Sequence, residues 1–348
     1  MSNFSNKLHA VLSISLSACL FAALARAQSD SAGWIGAPIF GLIANAEQTE
    51  IRAIQGVPGA STVGIPIALP AGVRQVYLAP LQQWALVQQL REGALGRLPL
   101  NGNQFGSVVP IHGAMSTPEL VSFSSNGRNA ALVSLGGVLQ ILTHLEETPQ
   151  IAMQTDISEL DATVVTVSND GTLSVVLTRT GEVYLVPSSG SPRLICRTGS
   201  PAGLSFLPDQ ALVIADGAAG TVTVIDGLMS QPFTRATISG PYLSGDAAFV
   251  QASSDGKSVI LSAYKGQTAY RIDLVDQSAS SLNLPAGVSM LERLNGNIFV
   301  FSANPGEAAW FLMADNANLR AGFAQFAGAS VVRSSPPRRG LEPAREVP

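Results

Sequence analysis

Short apolar runs alternate with polar turns along most of the chain, and no long stretch places apolar residues at helical spacing. One such unit has an apolar run from Leu120 to Phe123, a turn through Asn126 and Gly127, and a second apolar run from residue 131 to 133. Runs of this length, bounded by Gly, Asn, Asp and Ser, are typical of β-strands joined by tight turns. The pattern predicts an all-β protein.

The strand–turn–strand unit recurs at a regular interval. In four copies ten residues separate the glycines of two successive turns, at positions 127 and 137, 171 and 181, 256 and 266, and 296 and 306. Two further copies keep this spacing with Gln83 or Gln210 in the first position. Successive copies lie 39 to 46 residues apart, which is the period of a four-stranded propeller blade. The glycines are explained by the positive φ values that such turns require.

Counting the copies predicts a seven-bladed β-propeller of four-stranded antiparallel blades, with six or eight blades as alternatives. First strands are predicted to start near Val73, Glu119, Ala162, Ala202, Ala247 and Val288. Upstream, residues 39–44, 50–56 and 63–69 resemble three strands of another blade that lacks its first strand. A strand at 328–333 is predicted to complete that blade, so that N- and C-terminal strands close the ring and leave no unpaired edge.

One blade carries a recognisable signature. Residues 215–226 read Ala-Asp-Gly-Ala-Ala-Gly-Thr-Val-Thr-Val-Ile-Asp. This resembles the blade repeat of the YVTN and NHL groups of β-propellers, although Val213-Ile214-Ala215-Asp216 replaces the tetrad that names the YVTN group. The resemblance implies a propeller, commonly of seven blades, in an exported bacterial protein. It implies no substrate, because those groups are functionally mixed.

The N-terminus has the three parts of a secretion signal: a polar start with Lys7, an apolar run over residues 11–24, and the small-x-small site Ala25-Arg26-Ala27. We expect residues 1–27 to be removed, residues 28–37 to form a lead-in, and residues 38–333 to form the propeller. Residues 334–348, with four prolines, are predicted to be a disordered Pro/Arg tail. The mature protein is therefore expected outside the cytoplasm, as a periplasmic, secreted or cell-surface protein.

A lipid anchor is the alternative to simple secretion. Residues 16–19 end in Cys19 and resemble a bacterial lipobox, but the apolar residues 20–24 that follow favour an ordinary signal. Removal of Cys19 leaves Cys196 as the only cysteine, expected as a buried structural thiol. No other apolar run reaches the length of about 18 residues needed to span a membrane.

Composition excludes one class of partner. Charged residues make up 13% of the chain and the formal net charge is −4. A protein without a basic face lacks the means to bind phosphate backbones, so nucleic acid is not an expected partner.

No motif in the sequence points to catalysis, a metal or a cofactor. Beyond the signal only His112 and His144 remain, in different blades, and the Ser168–Thr172 segment is explained as a hairpin turn. Propeller ligands commonly bind at one mouth of the channel, on inter-blade loops and loops between second and third strands. The candidate rim residues there are Arg179, Asp216, Tyr264, Lys265 and Asn304.

The leading hypothesis is a monomeric, non-enzymatic binding scaffold for a protein, peptide or glycan. The alternative is a propeller enzyme, such as a lactonase-like hydrolase or a lyase, with its site at the channel mouth. A third hypothesis, a cell-surface structural protein, requires a lipid on Cys19.

Overall fold

The computed structural model describes residues 38–45, 47–57, 59–90, 94–199, 202–240, 248–303, 308–315 and 318–326. The predicted signal peptide, the lead-in, the predicted strand at 328–333 and the tail lie outside the described residues. All strands of the described residues lie in the unit Ile39–Pro348.

The described residues form an all-β structure, as predicted, with one short 3-10 helix at Ser158–Leu160. The strands of the first half are β1 (Ile39–Ala44), β2 (Ile51–Val57), β3 (Ala60–Ile67), β4 (Val73–Leu78), β5 (Trp84–Gln89), β6 (Leu95–Asn101), β7 (Gln104–Phe105), β8 (Val109–Pro110), β9 (Pro118–Phe123), β10 (Ala130–Ser134), β11 (Val138–Thr143), β12 (Gln150–Asp156), β13 (Ala162–Val167) and β14 (Leu173–Thr178). No helix among the described residues is long and apolar enough to cross a membrane.

The strands of the second half are β15 (Glu182–Pro187), β16 (Arg193–Arg197), β17 (Ala202–Phe206), β18 (Leu212–Asp216), β19 (Thr221–Asp226), β20 (Phe233–Ser239), β21 (Ala248–Ala252), β22 (Ser258–Ala263), β23 (Thr268–Asp273), β24 (Ala279–Asn283), β25 (Glu292–Asn295), β26 (Ile298–Ala303), β27 (Ala308–Asp315) and β28 (Asn318–Phe326).

Consecutive strands pair into sheets. Four sheets contain four antiparallel strands each: β9 to β12, β13 to β16, β17 to β20 and β21 to β24. A fifth contains β4 to β7, with β8 also paired to β6. The sixth has the order β1-β2-β3-β28-β27-β26-β25 and is mixed, because residues 324–326 of β28 run parallel to residues 61–63 of β3.

Burial follows the position of each strand in its sheet. All six residues of the second strand β22 are buried, whereas the outer strand β24 of the same sheet is largely exposed. The apolar clusters join neighbouring sheets: Val213 and Val224 of one sheet pack with Val250 and Leu261 of the next. A strand that is covered on both faces has no solvent-facing positions, which explains why the central residues 259–261 of β22 are all apolar instead of alternating with polar ones.

The first turn of three sheets has one geometry, and it needs serine, Asx and glycine in fixed order. In the turn after β21, the hydroxyl of Ser253 donates to a carboxylate oxygen of Asp255 at 2.6 Å and accepts the backbone N–H of Ser258 at 3.0 Å. Gly256 then takes a φ of +70°. The turns that start at Ser124 and Ser168 repeat these hydrogen bonds.

In two other first turns a glutamine takes the positive φ that glycine has in the three turns above. Gln210 does replace the turn glycine, with φ of +70°. In the earlier copy the predicted Gln83 is wrong, because the positive-φ residue is Gln82, whose N–H closes the turn onto the carbonyl of Ala79 at 2.9 Å.

The predicted first strands start at the expected residue at Val73, Ala162 and Ala202 and within one residue in β9 and β21. The start near Val288 is wrong. The backbone of Val288 is hydrogen-bonded in both directions to the β22–β23 turn, donating to Gly266 and accepting from Lys265, and β25 begins only at Glu292.

The N-terminal group also differs from expectation. Its three strands, β1 to β3, match the predicted positions to within three residues at each end, but β1 is an edge strand like the first strands of the other sheets, so a first strand is present. Within the described residues, the outer side of β3 is covered by β28.

Candidate functional site

A cavity of about 200 Å³ lies where the first strands meet. The strands β1, β4, β9, β13, β17, β21 and β25 each form an edge of a sheet. All seven contribute lining residues: Leu42, Tyr77, Ser122, Thr166, Ser205, Gln251 and Glu292, among others. One cavity therefore receives side chains from every group of strands.

The polar residues of this lining occupy equivalent positions. In five sheets a backbone hydrogen bond closes the first turn from Ala79, Ser124, Ser168, Leu207 or Ser253. The residue two positions earlier lines the cavity and is polar in all five cases: Tyr77, Ser122, Thr166, Ser205 and Gln251. Apolar residues flank each of these polar positions. We call these five residues the polar belt.

Some belt side chains are held by hydrogen bonds to their surroundings. The amide nitrogen of Gln251 donates to the carbonyl of Leu291 at 3.2 Å, and the Ser205 hydroxyl accepts from the N–H of Ala252 at 3.2 Å. Burial raises the pKa of the Tyr77 phenol above its ordinary value, so this side chain is neutral at physiological pH. The belt thus offers hydroxyl and amide groups without charge.

Glu292 supplies the negative charge of the cavity. It is the one acidic residue among the described residues that line it. The residue is exposed at the cavity, and partial desolvation by the surrounding protein raises the pKa of its carboxyl group. Within the described part of the chain no hydrogen bond or ion pair links this carboxylate to another residue.

The neighbouring cation, Arg293, does not pair with Glu292, because its guanidinium is bound by other groups. Its guanidinium donates to the backbone carbonyls of Gly296 and Ala252 and stacks over the ring of Phe299, 4.8 Å from the centroid. Burial lowers the pKa of Arg293 to about 10, so it still carries its charge at neutral pH. These contacts join the β25–β26 hairpin to the end of β21, and the guanidinium makes no ion pair with Glu292.

The rim candidates that the structure describes lie in second turns or directly beside them, and they do not line this cavity. The lining includes first-turn residues such as Pro80 and Ser125. A second strand of six residues, such as β22, separates its two turns by about 20 Å. The described rim candidates, Arg179, Asp216, Tyr264 and Lys265, therefore belong to the opposite ends of the strands, and Asn304 lies outside the described residues.

The rim candidates that are described make local contacts. Arg179 and Asp161 form an exposed ion pair at 2.8 Å, and Asp216 accepts the N–H groups of Gly199 and Ala219 at 2.8 and 2.9 Å. The Lys265 ammonium lies 5.3 Å from the centre of the Tyr264 ring. These contacts hold turns in place and bring no rim candidate into the polar belt.

Cysteine and histidine add little to the cavity. Cys196 is half-buried and packs against the apolar cluster between two sheets. Desolvation, and secondarily the charge of Asp216, raise the pKa of its thiol, so it is not activated as a nucleophile. His112 and His144 do not line the cavity. No group of three or more His, Cys, Asp or Glu side chains suited to a metal is found among the described residues.

The sequence does contain a signal for the polar belt. Each belt residue interrupts an apolar first strand at a constant distance from the turn. Glu292 has no such signal, because the strand that carries it begins four residues later than the apolar pattern indicates.

Comparison with known proteins agrees with the architecture. No family model matches the chain, and no curated protein matches its sequence. Among solved structures, a functionally unknown protein from Desulfotomaculum acetoxidans DSM 771 is 13% identical, with a TM-score of 0.54 over 83% of this chain and 99% of that chain.

Two further structures have a stated identity. A streptogramin B lyase is 12% identical, with a TM-score of 0.51 over 74% of this chain and 86% of that chain. The β-propeller domain of Cps50 (Swd1) from Myceliophteria thermophila is 11% identical, with a TM-score of 0.51 over 73% of this chain and 86% of that chain. The chain therefore has a β-propeller fold, and at these identities the similarity shows the fold alone.

Proposed function

We propose that this protein is an exported seven-bladed β-propeller that binds a protein, peptide or glycan in the cavity between its first strands, without catalysing a reaction. The observation that carries the proposal is the convergence of seven edge strands on one cavity with a polar belt. A concave site with a few polar groups set among apolar ones is the usual form of a ligand site.

The seven-blade count rests on the seven first strands. Closure between the last and first groups is supported by two contacts: β28 runs parallel to β3, and Leu294 of β25 packs closely over Gly41 of β1. A Cβ on Gly41 would lie 2.6 Å from the Leu294 side chain, so the approach requires glycine. In this proposal the first blade consists of β1, β2 and β3, and β28 covers the outer edge of β3. The covered edge cannot pair with a strand of another chain.

Export, and the kinship with exported YVTN- and NHL-like proteins, are supported by the sequence. The apolar run over residues 11–24 is followed by the small-x-small site that ends at Ala27, and the signature segment 215–226 forms the end of β18, a glycine turn and β19. Mass spectrometry of the protein from its native host tests this part. We expect a mature chain beginning at Gln28; an acylated Cys19 would make it a lipoprotein, and an intact Met1 would overturn export.

A catalytic function is the second candidate, and one observation favours it. Glu292 sits in the cavity with a raised pKa, which is the condition that suits a general acid, and a lyase is among the proteins with a similar fold. Binding is the better-supported function because acid–base catalysis needs a second titrating group beside Glu292. The other titratable side chains of the described lining are the neutral phenol of Tyr77 and the guanidinium of Arg293, which is hydrogen-bonded to backbone carbonyls.

A plugged cavity provides the test. We expect the purified mature protein to bind a subset of peptide and glycan arrays, and Ser122→Tyr to abolish that binding because the ring fills the cavity. The control is Ser280→Tyr, the same change on exposed β24. Equal binding by both variants would show that the cavity is not the binding site. Chemical conversion of a bound ligand, detected by chromatography, would overturn the non-catalytic function.

A further inference from the structure

Glu292 differs from the acidic residues that form ion pairs on the surface of the described structure. Surface carboxylates such as Glu182, Asp209 and Asp161 are paired with arginines at 2.8 Å. Glu292 lines the cavity and has no hydrogen-bonding or ion-pair partner among the described residues. A cation that enters the cavity is attracted to this carboxylate more strongly than at an open surface, because the ligand displaces water there.

Arg293 does not supply this cation. Its guanidinium is held between two backbone carbonyls of neighbouring hairpins and the face of Phe299. If the guanidinium left these contacts, two backbone carbonyl groups would lose their hydrogen-bond donor, which costs free energy. Among the described residues that line the cavity, no cation is free to pair with Glu292, so a bound ligand can supply that charge.

The polar belt determines what kind of cation fits. The hydroxyls of Ser122 and Thr166 make no hydrogen bond with another described residue, and the amide nitrogen of Gln251 is engaged with Leu291, which leaves its oxygen as an acceptor. An ammonium group has three N–H donors that point in different directions, so it can satisfy one carboxylate and two neutral oxygens together. A guanidinium is planar and is best satisfied by bidentate acceptors.

The size and charge of the cavity favour an ammonium group over a calcium ion. A cavity of about 200 Å³ accommodates a short alkyl chain with a polar end. Calcium prefers six to eight oxygen ligands, commonly including several carboxylates, and the described lining contains one.

We propose that the cavity receives a primary ammonium group, such as a lysine side chain of a peptide or protein, which pairs with the carboxylate of Glu292 and donates to oxygens of the polar belt. This inference rests on the proposed function, in that it names the chemical class of ligand for the same cavity.

The test uses capped Gly-Gly-Lys-Gly-Gly and its norleucine and arginine counterparts, titrated into the mature protein and followed by NMR chemical shifts. We expect saturable binding of the lysine peptide with shifts at the belt residues. The norleucine peptide, which keeps the alkyl chain and lacks the charge, should bind at least about tenfold more weakly. Equal or tighter binding of the norleucine or arginine peptide, tighter binding of calcium chloride, or no binding of the lysine peptide would overturn the inference.

The matched variants are Glu292→Gln and Glu159→Gln, the second at an exposed position outside the cavity. We expect only Glu292→Gln to weaken binding of the lysine peptide, by about tenfold or more. Circular dichroism confirms folding of both variants, and the comparison of peptides on the wild-type protein stands without them. Array ligands that are lost in Ser122→Tyr but unaffected by Glu292→Gln would leave the proposed function intact and overturn the ammonium site alone.

Discussion

The side-chain oxygen of Asn169 lies 2.9 Å from the hydroxyl of Ser125 in the neighbouring sheet and accepts its hydrogen bond. The same oxygen accepts the N–H of Asn126 at 3.0 Å. Related contacts recur around the structure, where Gln210 donates to Asp170 at 2.6 Å and Ser254 donates to Asn297 at 2.8 Å. First turns of consecutive sheets are thus tied to one another beside the cavity.

Replacement of Asn169 by alanine is expected to lower the free energy of unfolding by about 1–2 kcal/mol, because two donors lose their acceptor. Asn169→Asp keeps an acceptor oxygen in the same place and should retain most of the stability. Urea unfolding of the two variants beside the wild type measures this. Equal losses for both variants would contradict the role assigned to the oxygen.

Two adjacent glycines in the β10–β11 turn should respond differently to alanine. Gly137 has a φ of +77°, and a Cβ there would lie 2.3 Å from the Cα of Ser158, whereas a Cβ on Gly136 would meet only the Ser134 hydroxyl at 3.9 Å. Gly137→Ala is therefore expected to destabilise by at least about 1–2 kcal/mol, the cost of a left-handed backbone. The stability of Gly136→Ala should stay close to that of the wild type. Thermal unfolding of the two variants measures the difference.

Asp255 should make the stability depend on pH. Hydrogen bonds from the Ser253 hydroxyl and the Lys257 N–H lower the pKa of its carboxyl group, while burial opposes them. A carboxyl whose pKa is lower in the folded state contributes stability above the unfolded pKa, and that contribution is lost as the pH falls through the folded value.

Asp255→Asn is therefore expected to lose less stability than the wild type between pH 7 and about pH 3. Asp315→Asn, at an exposed position, is the control. Denaturant unfolding at the two pH values measures the difference, and a wild-type-like response of Asp255→Asn would contradict the prediction.

Glu292 should make the stability depend on pH in the opposite direction from Asp255. Desolvation raises the pKa of its carboxyl group, so the folded state binds this proton more tightly than the unfolded state, and the associated stability is lost as the pH rises through the folded pKa. Tyr77 and Arg293, the other titratable groups of the described lining, do not titrate between pH 4 and pH 8, because the pKa of Tyr77 is raised and that of Arg293 is about 10.

Glu292→Gln removes the ionised form and is expected to raise the thermal midpoint at pH 7.5, with little change at pH 4. Differential scanning calorimetry at both pH values gives the result. A variant that is less stable than the wild type at pH 7.5 would show that the carboxylate has a partner in the native protein. A more stable protein that binds less well is the usual consequence of removing a strained functional group.

The sequence by itself determined the features that depend on near neighbours in the chain. One first turn is closed by Ser253, Asp255 and Gly256 through contacts within five residues. The sequence therefore predicts this turn and its ten-residue spacing to Gly266. The strands, their order and the starts at Val73, Ala162 and Ala202 followed from the same local pattern.

Only the tertiary structure decided the features that depend on distant residues. Gln82 takes the positive φ in place of Gln83 while its amide bridges the backbone N–H and C=O of Leu42, both at 2.6 Å, on a strand forty residues earlier. The pairing of β28 with β3 joins strands from opposite ends of the described chain. Local spacing marks each polar belt residue within its own strand, but the cavity and the place of Glu292 in it exist only because seven edge strands meet.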